Sequence, residues 1–202
     1  MGAMKAKPML AVAALMLAWS WVAWAQTPPA DSDGPQFTSA GELVLPANYG
    51  EWVHLSSGLG MAYGPNGGGE RAPSFTNVYA NPSSYRSFMK TGKWPDKTML
   101  VLEIRASANE PSLNKAGRFQ SELLAVEADV KDEVRFPGTW AFFNFGPTGK
   151  RVKPLPSTSS CNTCHANNTA VDQTFVQFYP TLFEVARRMG TLNPSFLRST
   201  VK

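Results

Sequence analysis

The sequence predicts an α+β, β-rich fold built on an antiparallel sheet with a few short helices. Three observations carry that prediction. Residues 98–104, 121–130 and 139–145 place apolar side chains at alternate positions, the period of a strand. Residues 81–92 read as a well-punctuated helix, and a second helical stretch occupies 172–189. Helices early and late, rather than one between each pair of strands, point to antiparallel strands instead of a parallel sheet.

From the N-terminus, the first 25 residues read as an export signal peptide. Lys5 and Lys7 make a positive start, and an apolar run of about 16 residues to Trp24 is short of the ~20 that span a bilayer. Ala23-Trp24-Ala25 then offers a cleavage site, so the mature chain is expected to begin at Gln26, in the periplasm and free of the membrane. Of the 19 Lys and Arg residues, two leave with that leader, and the rest barely exceed the 15 Asp and Glu. With no basic stripe interleaved with aromatics, nucleic acid is excluded as a partner.

Residues 26–41 are rich in Pro, Asp, Ser, Thr and Gly and are expected to be a flexible lead-in, with the domain itself spanning 42–202. LVLPANYGEW reads as a short strand and a helical turn opened by Pro46, and WVHLSSG as a strand. A connector containing GPNGGGE follows; Glu70 stands where a phosphate-cradling loop needs Lys and then Ser or Thr. FTNVYA alternates as a strand. Asn81 is expected to cap the next helix, Pro82 to open it and Gly92 to end it, with Tyr85, Phe88 and Met89 on its apolar face.

TMLVLEIRA sets Leu100, Leu102 and Ile104 on one face and Met99, Val101, Glu103 and Arg105 on the other. SELLAVEADVKD sets Leu124, Val126, Ala128 and Val130 opposite Leu123, Ala125, Glu127 and Asp129. TWAFFNF is aromatic on both faces and is expected to be a central strand. Pro180 should break or restart the terminal helical stretch.

The chemistry is concentrated in CNTCH, Cys161 to His165. Two thiols three positions apart, with a histidine directly after the second, are the pattern of a c-type haem attachment site. In it Cys161 and Cys164 form thioethers to the porphyrin and His165 ligates the iron. These are the only two cysteines in the chain, and His165 is one of two histidines. A structural zinc site wants four ligands in a tetrahedron, which adjacent Cys164 and His165 are badly placed to share. A thioredoxin-like pair belongs beside a βαβ pattern, and a Cys161–Cys164 disulfide would close too small a loop to stabilise much. One covalently bound haem c, in a chain that carries an export signal, is the expectation.

Electron-relay cytochromes close the iron with a second protein ligand, often Met. Only Met189 follows the motif, on the apolar face of a predicted helix, and His54 lies in a predicted strand, where histidines usually pack. The iron is therefore expected to be five-coordinate, with an open face for a small ligand.

The runs EWVHLSSGLGM, NVYANPSSYRSFMKTGKWPD, AVEADVKDEVRF, WAFF, CNTCH and TFVQFYPTL, in this order, resemble the cytochrome P-460 family from Glu42 to about Arg188. The resemblance implies a β-rich monohaem fold, usually a homodimer, of two functional types. One oxidises hydroxylamine with a haem cross-linked to a lysine, a reaction that passes electrons to a redox partner such as another cytochrome. The other, the cytochrome c′-β type, lacks that link and binds nitric oxide or carbon monoxide in an apolar, aromatic-capped pocket. By the resemblance, the cross-linking lysine belongs where this chain has Leu102, beside the porphyrin, with Lys97 and Lys93 earlier in the chain. Glu127 matches the carboxylate that takes protons from a nitrogen substrate. Phe75, Phe143 and Phe145 are candidates for the aromatic cap.

Overall fold

The computed structural model describes residues 1–2, 33–61, 72–110, 113 and 116–200, the last without its side chain. The chain divides into two units, Met1–Asp31 and Ser32–Lys202. Nearly all of the expected leader, residues 26–32 of the lead-in and the GPNGGGE connector lie outside the described residues.

In chain order the second unit contains β1 (Gln36–Phe37), β2 (Leu43–Val44), β3 (Val53–Leu59), β4 (Phe75–Ala80), α1 (Pro82–Thr91), β5 (Thr98–Ala108) and β6 (Phe119–Lys131). Then follow β7 (Trp140–Gly146), β8 (Arg151–Val152), α2 (Ser160–Asn168), α3 (Pro180–Met189) and α4 (Pro194–Thr200), with 3-10 turns at Tyr49–Glu51 and Val176–Phe178. The fold is α+β. Strands β3 to β7 form a five-stranded antiparallel meander in sequence order, and β1, β2 and β8 form a small antiparallel sheet.

A core lies on each face of the meander, which is why β7 and the first half of β5 are apolar on both sides. On one face Leu100, Trp140 and Phe142 join Phe88, Trp94, Leu182 and Val185 under the helices. On the other, Met99, Val101, Val126, Val130 and Phe143 pack with Leu43, Leu45 and Trp52 beneath the small sheet. The predicted alternation of β5 is obeyed: Leu100 and Met99 lie in different cores.

Four expectations need correction. From Asp33 onward the stretch expected to be a flexible lead-in is held in place. Phe37 pairs with Leu43 in β1–β2, its ring lies 6.1 Å from that of Phe143, and the Arg135 guanidinium sits 4.3 Å above it. One half-buried aromatic ring packed against partners outweighs a polar average. Asn81 does not cap α1 with its side chain. Its amide instead accepts from Met99 N at 2.9 Å, and the Asp33 carboxylate takes the capping part by accepting from Ser83 N at 2.7 Å.

Strand β7 is an edge strand, not a central one. Its burial on both faces reports the layers above and below the sheet, and its open edge is met by Leu155 N, which donates to Phe142 O at 2.7 Å. In β6, the register steps from Ile104↔Ala125 to Arg105↔Leu123. That bulge leaves Leu124 46 % exposed and turns Leu123 onto the second core, the reverse of strict alternation.

The terminal stretch is a 3-10 turn and then α3, which Pro180 opens. Gly92 ends α1 with φ +69, packed so closely on Met189 and Thr191 that a Cβ there would meet both.

Candidate functional site

A cavity of about 340 Å³, within the ~300–1,000 Å³ usual for small-molecule and cofactor sites, lies between the meander and α2. The pleat builds its sheet wall: Thr76 and Val78 on β4, Leu100 and Leu102 on β5, Glu127 and Asp129 on β6 are alternate residues of neighbouring strands. The opposite wall carries Cys161, Cys164 and His165 of α2, with Phe175, Phe178 and Tyr179 beyond. Helical spacing explains that grouping, since positions i, i+3 and i+4 share a face. Gly58 opens the third side, because a Cβ there would run into the Met61 thioether that lines the cavity.

His165 is held on three sides. Its ring lies 4.3 Å from Phe142 and 4.6 Å from Phe175, between centroids. Its Nδ1 is 2.7 Å from the carbonyl oxygen of Gln173, so Nδ1–H donates there and Nε2 keeps its lone pair for a metal. The loop that presents this carbonyl is itself pinned. Asn193 Nδ2 donates to Thr169 O and Asp172 O at 2.8 and 2.9 Å, Trp94 Nε1 donates to Thr174 Oγ1 at 2.9 Å, and Asp172 adopts φ +50.

The cavity's two carboxyls are perturbed. Burial raises Glu127 above the usual carboxyl range, against the pull of His165, and Asn144 Nδ2 donates to its Oε1 at 3.0 Å. Burial likewise pushes Asp129 up to about 6, again opposed by His165 and reinforced by Glu127.

The family model for cytochrome P460 matches residues 46–176, which is more than half of the chain and includes the sheet wall, α2 and His165. The chain belongs to the cytochrome P460 family. A search of curated proteins finds no match.

For a cytochrome P460 the group this cavity implies is a haem. The residues present fit it: two free thiols and an imidazole with an available Nε2 face one largely apolar cavity. Leu102, Glu127, Cys161, Cys164 and His165, taken from the sequence as site residues, all line it. Among the described residues no lysine does; Lys93 is exposed, and Lys97 turns to Asp132 at 2.5 Å.

His54 lies outside the cytochrome P460 cavity. It is exposed, 3.0 Å from Ser57 Oγ, with its ring edge-on to Tyr79. Met189 is 50 % exposed and does not line the cavity. Phe75, Phe143 and Phe145 are not cavity residues, and the last two belong to the core on the other face of the sheet. The aromatic residues that line the cavity are instead Phe175, Phe178 and Tyr179, and the Phe142 ring packs against His165.

Asp129, Met61 and Gln173 were not singled out as site residues in the sequence of this cytochrome P460. Asp129 was within reach, two positions from Glu127 on the same face of a strand. Gln173 acts through its backbone, which leaves no side-chain signature.

Proposed function

We propose that this cytochrome P460 is an exported, periplasmic haem c protein that binds small nitrogen species, nitric oxide foremost. The observation that carries the reading is the composition of one cavity. A CxxCH motif forms one wall, and on the sheet wall opposite Val78, Leu100 and Leu102 stand beside the carboxyls of Glu127 and Asp129. Cys161 and Cys164 would hold a haem c through thioethers formed by adding their S–H groups across its two vinyls, and His165 would offer Nε2 to the iron. A haem c bound there would supply a redox-active iron able to take a small ligand. Leu102 gives an aliphatic contact with no nucleophile, and no described residue of the cavity is a lysine. The resemblance to P-460 proteins further supports a homodimer.

Oxidation of hydroxylamine is a second reading, and Glu127 favours it. A carboxyl held above its ordinary range by burial accepts a proton with more driving force than a solvated one. That reading needs a redox partner, such as a cytochrome, to take the electrons. Leu102 weighs against it.

The test is to isolate the exported protein and record its mass and its ferric and ferrous spectra with and without nitric oxide. A chain starting at Gln26 with one haem that resists acidic acetone, a high-spin spectrum and nitric oxide binding are expected. Extractable haem, or low-spin ferric iron that ignores nitric oxide, overturns the proposal.

A further inference from the structure

We infer that Asp129 is a positioning residue that sets the donor strength of His165 and, through it, the reduction potential of the bound haem. The inference rests on His165 being the iron ligand. One carboxylate oxygen of Asp129 lies 3.8 Å from His165 Nδ1, the nitrogen that faces away from a metal on Nε2. The Gln173 carbonyl is nearer, at 2.7 Å, and takes the hydrogen bond. Asp129 therefore acts by charge rather than by capturing the proton.

Its surroundings keep that charge effective. Asp129 is half-buried, and its cross-strand neighbours are Leu100 on β5 and Phe142 on β7. The Phe142 ring also packs against His165, so little water separates carboxylate and imidazole. Lys131, next on the same face of β6, is turned away to Asp172 at 3.4 Å and to the carbonyl of Trp94 at 3.0 Å. Among the described residues, His165 is the one basic group within ion-pair distance of Asp129. A negative charge behind a metal-bound imidazole makes it a stronger donor and favours the oxidised metal.

The experiment measures the midpoint potential and the ferrous iron–histidine stretching vibration of the haem-loaded protein at pH 8. Wild type is compared with Asp129→Asn, Asp129→Leu and Asp129→Glu, and with Glu127→Gln as a second charge removed from the same cavity. Both neutral variants should favour the reduced form by about tenfold or more, the size expected of one charge at this range in a medium of effective dielectric constant about 20. Their iron–histidine vibration should fall in frequency. Asp129→Glu should stay close to wild type, and Glu127→Gln should leave the vibration where it is. Haem lost from both neutral variants but retained in Asp129→Glu also supports the assignment, since charge is what glutamate keeps. A neutral variant that holds haem with unchanged potential and vibration overturns it. A wild-type protein that carries no haem overturns the reading of the site itself, a result separable from the first.

Discussion

Leu102 on β5 and Glu127 on β6 are direct cross-strand partners, and both line the cavity that holds His165. An aliphatic side chain and a carboxyl thus stand side by side on one wall. If the resemblance holds residue by residue, Leu102 stands at the place expected of a cross-linking lysine, and the pairing sets it next to the group proposed to move a proton.

That adjacency makes Leu102→Lys informative. The new amine would enter the cavity beside Glu127, and a haem peptide from this variant should carry a third covalent link in addition to two thioethers. Mass spectrometry decides it. Wild-type peptide with a third link would show that some other side chain supplies the bond.

Glu127 should behave as a general base. Any hydroxylamine turnover should fall by about 10² to 10⁴ in Glu127→Gln, while nitric oxide affinity changes little. Because a proton acceptor must be ionised and burial raises this carboxyl from its ordinary 4.5, wild-type rate should climb with pH through a value above 4.5. Equal rates in both proteins would reduce Glu127 to a wall residue.

His54 should be spectroscopically silent. It contacts Ser57 and Tyr79 and lies outside the cavity, so His54→Ala should leave the haem spectrum unchanged. A ferric spectrum that passes from low to high spin in this variant would mean that His54 fills the open position.

The largest polar contribution to stability should come from Glu103, 6 % exposed on the sheet face opposite the cavity. Arg105 donates to it through Nε and Nη2 at 2.9 and 3.0 Å, Tyr49 Oη at 2.8 Å and Asn77 Nδ2 at 3.3 Å. Burial raises the Glu103 carboxyl, but these donors outweigh it and hold the group below 4.5. Burial and the same hydrogen bond push the Tyr49 hydroxyl up to about 12. A depressed folded-state carboxyl contributes stability that is present above its unfolded value and lost as pH falls through its folded one. Glu103→Ala should therefore cost about 2–3 kcal/mol near pH 7, with Arg105 partly solvated, and the difference from wild type should shrink below about pH 4.5. Urea unfolding at both pH values measures it, and a cost that does not change with pH would contradict the account.

The sequence by itself determined the α+β class, most of the elements and the residues of the CxxCH wall, because these are local facts. A two-residue period makes β5, a Pro and a Gly bound α1, and three side chains within five positions share a helical face. Glu127 and Leu102 could be proposed for the same reason, each lying on one predictable face of a strand. Tertiary structure decided what those faces meet. The bulge beside Leu124 reversed one pair of side chains, and β7 proved an edge strand because burial on both faces depends on layers contributed by distant segments. The partners of His165 come from three places, the Gln173 carbonyl, the Phe142 ring and the Asp129 carboxylate. No period in the sequence relates β6, β7 and the loop before α3. Only packing, which buries apolar area wherever the chain permits it, brings them to one imidazole.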